Sequence, residues 1–523
     1  DLSAAGRGAP TDDIYTLNAA VERTSINSSK SVYRMISGFS RLNYHYDNKY
    51  LLSAVLRYDG TSALDDNRWG AFPGVSAGWN VHLEDFFRSS QISKTITFLK
   101  PRVSYGINGN IAGIGNYEVQ GVYAITTNYN NNSSYLNTGL INRGLRWEKS
   151  NSLDAGLELG FLSDKIYLNM NYFRRVTTDL LTNLALPDYT GFSSLRTNLG
   201  NLENKGFEAE MNVNILRQNN GINWDFGMNV SYVKNKILKL PYNGVENNRQ
   251  GGERIYDPEK GLIWVGGYQE GKSIGDIVAY KAERILKDWE DVNNTVPNRY
   301  DAVAELYGPK LYSTLTNKKG RYPIEPGDVV WSDFDKNDTI DHRDRYVVGN
   351  IYPKWTGGFN TSIGYKNFSL YTRFDYALGH IIYNDFAAKI MGNMIGSMNI
   401  IDWVKDSWTP ENHDAKYPAY TYGDYPKLNI KRSGLHYDTP ENHSSMFYEK
   451  GDYLALRELT LSYLLPQSIV TKIGVTSIQI SFTGQNIAYF TREYTGWNPE
   501  SGGSDNGRYP LPRTFIMGLQ LSF

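Results

Sequence analysis

The chain has 523 residues, room for several ordinary domains or one large barrel, and 54 Lys and Arg against 55 Asp and Glu leave a formal net charge of -1. That balance supplies no basic field for nucleic acid, so a nucleic-acid partner is excluded. No apolar run reaches the roughly eighteen residues of a membrane helix, yet 40 Tyr, 20 Phe and 11 Trp are a heavy load of residues that favour a membrane–water boundary. The absence of cysteine suits export through an oxidising envelope. A mean hydropathy of -0.48 reads as soluble, but a membrane barrel hides its oily face in alternate residues and scores the same way.

Residues 1–30 are polar and irregular, with no apolar signal segment. They are expected to be an extracellular loop or the region of a chain break. From Ser37 onward the sequence falls into stretches of period two, which place successive side chains on opposite faces of a strand. Tyr50, Leu52, Ala54, Leu56 and Tyr58 are backed by Ser53, Arg57 and Asp59. Ile166, Leu168, Met170 and Tyr172 are backed by Asn169, Asn171 and Arg175. Phe207, Ala209, Met211, Val213 and Ile215 alternate with Glu208, Glu210, Asn212 and Asn214. Trp224, Phe226, Met228, Val230 and Tyr232 alternate with Asp225, Asn229 and Ser231, and Phe368, Leu370, Phe374 and Tyr376 with Ser369, Arg373 and Asp375. The last strand, 511–523, sets Phe515, Met517, Leu519, Leu521 and Phe523 on one face. Such an oily terminal strand would be an aggregation hazard as an open edge of a soluble sheet, and closure removes the edge.

A soluble sandwich gives the same alternation, and the connections decide between the two. Tight turns fall at 47–49, 163–164, 217–221 and 366–367; long polar connections fall near 110–145, 181–197, 237–354, 380–446 and 490–510. Short and long connections taking turns are the layout of an outer-membrane barrel, with short periplasmic turns and long extracellular loops. The fold expected is therefore all-β, a transmembrane antiparallel β-barrel. About thirteen strands are expected, near 33–46, 50–60, 71–82, 98–109, 146–161, 163–180, 197–217, 221–236, 355–365, 367–380, 446–464, 474–489 and 511–523. An odd count implies that 31–523 is the C-terminal part of a larger barrel, its N-terminal half a further segment or chain.

The stretches RVSYGINGNIAGIGNY (102–117), NLGNLENKGFEAEM (198–211), GDVVWSDFDKNDTIDHRDRYVVG (327–349), LRELTLSYLLP (456–466) and YPLPRTFIMGLQLSF (509–523) resemble, in order, the SusC/RagA class of TonB-dependent transporters. The resemblance implies a barrel of about twenty-two strands, with a plug and N-terminal domain not found in this chain. It implies a SusD-like lipoprotein lid, TonB as energy source, outer-membrane lipid around the wall, and a glycan or oligopeptide as cargo. It implies no catalysis. The other readings are a barrel-anchored surface enzyme or adhesin, or a passive porin.

Three motifs carry candidate chemistry. Asp333, Asp335, Asn337, Thr339 (through its carbonyl), Asp341 and Asp344 fall at loop positions 1, 3, 5, 7, 9 and 12, the offsets of an EF-hand-type calcium loop. Asp338 replaces the turn glycine and Asp344 the bidentate Glu, so the expectation is a structural Ca²⁺ or a solvated acidic turn; no other cofactor is required. Gly266 to Ser273 satisfies the phosphate-loop pattern, but a strand-like IGDIVAYK follows where a helix is needed, and no nucleotide site is expected. Trp403, Trp408, Tyr417, Tyr420, Tyr422 and Tyr425 cluster in one long loop, where they could stack on sugar rings, grip a lid, or pack the loop.

Overall fold

Thirteen of the alternating stretches pair into one antiparallel meander, each strand beside its neighbours in sequence order. The computed structural model describes residues 2–7, 22–28, 31–121, 123–124, 128–129, 132–133, 136–137, 139–219, 221–295, 326–336, 342–392, 405–415, 417–419, 444–505, 507 and 509–523. The strands are β1 (Met35–Tyr46), β2 (Tyr50–Thr61), β3 (Trp69–Trp79), β4 (Ile96–Asn110), β5 (Glu148–Phe161), β6 (Ile166–Ala185) and β7 (Ser194–Asn219). They continue as β8 (Ile222–Lys239), β9 (Trp355–Tyr365), β10 (Phe368–Leu378), β11 (Tyr453–Leu464), β12 (Ser477–Thr491) and β13 (Thr514–Ser522). No helix among the described residues is long and apolar enough to cross a membrane.

Every second connection falls at one end of the sheet, and four of these six are tight turns. At Asp47 and Asn48 the φ values of 51° and 52° give the mirror-image turn that matches strand twist. Leu162, Ser163 and Asp164 turn in the same left-handed region. Two turn-end connections are longer and carry short helical pieces, Val81–Lys94 and Gln467–Ile473.

Apolar side chains are distributed in reverse of a soluble protein. The outward row is open, with Leu42, Tyr44, Leu52, Phe515 and Met517 each at least half exposed, whereas the buried apolar clusters lie in the loops. One such cluster packs Ala63, Leu64, Phe72, Ile114, Val119, Leu145 and Trp147 at the loop ends of β2 to β5. The largest exposed apolar patch on a typical soluble monomer is about 300–600 Å²; a whole sheet face requires lipid. Aromatic rings bound that face. At the loop end Phe207, Tyr232 and Trp355 interlock with centroids 4.7 to 6.0 Å apart. At the turn end Tyr46, Tyr50 and Trp79 stack, and the Phe368 and Tyr463 rings meet at a tilt. Trp224 and Tyr232 on β8 are about 27 Å apart along the strand, or roughly 20 Å in height at the usual tilt, close to the ~25 Å of an outer-membrane apolar band.

Several expectations need correction. Residues 1–30 are not irregular throughout, because Leu2–Arg7 pairs antiparallel with Glu22–Ser28. The stretch 446–464 is two strands: Tyr448–Lys450 pairs with Ile381–Tyr383 inside the loops, and only β11 joins the wall. The expected strand 71–82 ends at Trp79, since Val81–Leu83 coils into a 3-10 turn. On β7 the alternation breaks at a bulge, so that Leu216 rather than Ile215 faces Trp224. The described parts of the longest connection are built into small sheets. Between β8 and β9, Glu253–Asp257 pairs with Gly261–Val265, Asp276–Tyr280 with Arg345–Asn350, and Ala282–Ile285 with Val329–Trp331.

Candidate functional site

The inward face of the wall is polar because the strand period sends every second residue there. Lys100, Glu158, Asn169, Glu210 and Asn229 are successive register partners across β4 to β8. Glu158 accepts from Lys100 at 3.2 Å and from Tyr167 at 3.1 Å, and lies 3.1 Å from Arg102, whose Nη2 donates to Asn171. Of the charges on the inward rows, two pairs meet and two groups bond to serine. Arg57 holds Asp59 at 2.7 Å, Arg373 lies 3.9 Å from Asp375, Arg175 donates to Ser152, and Glu208 accepts from Ser231.

Where this wall meets the loops, Arg457 is the hub. It is skipped in both ladders, between Leu456 and Glu458 on the β10 side and again on the β12 side. A bulge of this kind re-aims a side chain, and here it sends the guanidinium to the inner face. Its Nε donates to Asp375 at 2.9 Å, its Nη1 to the Tyr489 hydroxyl at 2.8 Å, and its Nη2 to Glu500. Tyr489 donates to the same Glu500 carboxylate at 2.8 Å. Glu500 belongs to the connection between β12 and β13, so one arginine ties a loop to the wall. That connection is held a second time: Asn384 and Thr495 share Glu449, Asp505 N–H donates to the Tyr383 carbonyl at 2.9 Å, and Tyr494 donates to Asp505. Burial pushes the Tyr494 phenol well above its ordinary range.

The acidic loop is partly assembled. Asp333, Asp335 and Asp344 bring one carboxylate oxygen each within 4.8 Å of one another, and they are the one group of this kind among the described residues. Asp344 is fully buried and accepts from the Phe334 N–H at 2.9 Å. Arg343 lies 3.5 Å from Asp335 and offsets part of the negative charge. Three carboxylates this close repel unless a cation lies among them, and oxygen-only donors suit a hard ion such as Ca²⁺. Asn337, Thr339 and Asp341 lie outside the described residues.

Of the aromatic loop, Trp408 and Tyr417 are brought together; Trp403, Tyr420, Tyr422 and Tyr425 lie outside the described residues. The Trp408 N–H donates to the Tyr417 carbonyl and its indole N–H to the Lys287 carbonyl, both at 2.9 Å. Tyr417 packs on the buried group of Tyr383, Ala387, Ala388 and Phe447. Beside them Lys287 pairs with Asp414, a hydrogen bond that holds the Asp414 carboxyl below and the lysine above its usual range. The phosphate-loop look-alike is a turn against β8: Ile237 N–H donates to the Lys272 carbonyl, Ser273 to Asn235, and the strand Asp276–Tyr280 follows in place of a helix.

Sequence reading missed Arg457 and Glu500, although a signal was present. Leu454 and Leu456 are in phase with each other, Leu459 and Leu461 are one residue out of phase with them, and the slip falls at Arg457. Nothing local in the sequence couples that slip to Glu500.

A family model described as "TonB dependent receptor-like, beta-barrel" matches residues 3–376. The chain is 31% identical over 511 residues to TonB-dependent receptor P3 of Formosa agariphila, covering 94% of this chain and 45% of that protein. It is 28% identical over 507 residues to TonB-dependent receptor SusC of Bacteroides thetaiotaomicron, covering 94% and 44%. The chain thus spans about half the length of the curated relatives it matches. Its backbone resembles that of the RagAB peptide transporter with a TM-score of 0.73 at 21% identity, over 98% of this chain and 50% of that one, a likeness of fold.

Proposed function

Because the chain belongs to the TonB-dependent receptor β-barrel family, we propose that it acts as the barrel part of an energised importer of glycans or oligopeptides. It is of the SusC/RagA type and belongs to the bacterial outer membrane. Residues 31–523 would form the C-terminal portion of the barrel wall, and residues 1–30 a segment at its extracellular end. A SusD-like lipoprotein would cover the loop end, and TonB would act through the half of the protein that the relatives have and this chain does not span. The chain has no part in bond-breaking in this reading; its relatives are receptors by name.

The observation that carries the reading is a polar inner wall meeting loops that are folded and anchored to it. The Arg457–Glu500–Asp375 junction ties a loop to the inner face of the wall, which supports a transporter that encloses cargo between wall and lid. Calcium held by Asp333, Asp335 and Asp344, with Asn337, Thr339 and Asp341 completing the shell, would stiffen the longest loop. It would have no part in moving cargo.

The test is uptake by cells that carry the intact protein. Labelled oligopeptides and glycans should enter only with an energised inner membrane, and a lipoprotein should co-purify with the barrel. Ohmic conductance without energy would favour a passive porin, and hydrolysis of a surface polysaccharide would favour a barrel-anchored enzyme; either sinks the proposal.

A further inference from the structure

The membrane-facing surface has a notch at its turn end. The β3–β4 ladder covers only Gly74–Gly78 opposite Gly106–Arg102, whereas β4 stays paired with β5 down to Ile96. Beyond Trp79 the chain leaves the sheet for the connection 80–95, and the edge of β4 is left open. Pro101, which has no N–H to leave unpaired, sits on that edge. The His82 ring lies 3.2 Å from the Leu99 carbonyl and covers another part of it.

The gap is a groove of about 590 Å³ between Tyr44, Leu52, Ala77 and Trp79 on one side and Pro101 and Val103 on the other. Tyr44, Leu52, Ala77 and Val103 are successive register partners, so they share the outward row. Small Ala77 creates the depth. The polar ends of the flanking rings are fixed outside it, because the Trp79 indole N–H and the Tyr50 hydroxyl both donate to Glu84. The adjoining connection continues the surface: Phe86 is 61% exposed against Trp79, and Ile92 is 58% exposed. Arg88 and Lys94 on the same connection are exposed, and neither pairs with an acid among the described residues.

We propose that this notch binds one phospholipid of the periplasmic leaflet, an acyl chain lying in the groove and an anionic headgroup held by Arg88 and Lys94. The apolar trough, the interfacial rings and two exposed cations on the adjoining connection are the kinds of group that a phospholipid's tail, glycerol and phosphate would meet. The turn end faces the periplasm in barrels of this kind, which selects a phospholipid over lipopolysaccharide as occupant.

Native mass spectrometry of the intact protein in mild detergent, after delipidation and titration with phosphatidylglycerol, tests the site. A single saturable adduct is expected, with weaker retention of phosphatidylcholine. Ala77→Trp, which fills the groove, should weaken retention roughly tenfold, the loss expected when about two methylenes are no longer buried. Val103→Phe plugs the groove from the other lip and should do the same. Arg88→Glu combined with Lys94→Glu should abolish the preference for phosphatidylglycerol. Absence of a saturable adduct on the wild-type protein overturns the proposal, even where a variant fails to assemble. So does unchanged retention by a folded Ala77→Trp or Val103→Phe protein, or a co-purifying lipid that proves to be lipopolysaccharide.

Discussion

Replacing Arg457 with Ala should release the connection between β12 and β13 from the wall while leaving the wall intact. The guanidinium is 13% exposed and its acidic partners Asp375 and Glu500 are 37% and 28% exposed. Breaking a fully buried ion pair costs about 3–5 kcal/mol, and an exposed one contributes under about 1 kcal/mol. With acids that water partly reaches, the cost falls between these, about 2 kcal/mol, or about 30-fold in the ratio of released to docked loop. Hydrogen exchange followed by mass spectrometry reads this directly, since local opening sets the exchange of the amides it uncovers. Peptides covering 498–501 should exchange about 30-fold faster in the variant. Those covering 503–505 should change less, because Asp505 N–H is held separately by the Tyr383 carbonyl. Exchange of β11 and β12 should stay slow. Unchanged exchange at 498–501 would show that Arg457 does not hold the loop; faster exchange throughout β11 and β12 would show that it holds the wall instead.

The acidic loop should bind Ca²⁺ in calorimetry and gain thermal stability from it. Asp335→Ala should remove both effects, and a chelator should lower the wild-type midpoint to that of the variant. His380 is buried, and among the described residues its Nδ1 has no hydrogen-bond partner. Burial lowers its pKa, opposed in part by the Pro499 carbonyl and Asp452. The unfolded chain therefore takes up the proton first, so the packing around His380 should be fully stable above the ordinary value of 6.5 and weaken as pH falls below it. His380→Gln should flatten that pH dependence in hydrogen exchange. Glu84 is held below its ordinary 4.5 by donors Trp79 and Tyr50, joined by Lys49. Its contribution to the turn end is present above pH 4.5 and lost as pH falls through the lowered value. The tryptophan emission of the wild-type protein should shift across that acid range, and Glu84→Gln should remove the shift.

The wall was legible because its signal is local. Period two along Tyr50 to Tyr58 or Trp224 to Tyr232 states which face is oily, and turns such as Asp47-Asn48 state where the chain reverses, so β9 fell where the alternation placed it, at 355–365. The loop architecture was not legible, because its pairings join distant residues: Asp276–Tyr280 meets Arg345–Asn350, and Ile381–Tyr383 meets Tyr448–Lys450. The candidate metal site sits between these extremes. Spacing alone put Asp333, Asp335 and Asp344 together, and they do meet. The Arg457 junction left only a slip in phase, and its partner Glu500 follows from three-dimensional closure of the last loop.

The connection from Lys239 to Trp355 joins two adjacent strands across roughly a hundred residues. The entropy of closing such an insertion rises only with the logarithm of its length, about 0.6 kcal/mol for each doubling. Since that connection also carries its own small sheets, lengthening or rewriting it leaves the register of β8 on β9 unaffected. Variation can therefore accumulate in the loops while the membrane-spanning wall keeps its sequence pattern, an evolvable division of labour set by polymer statistics.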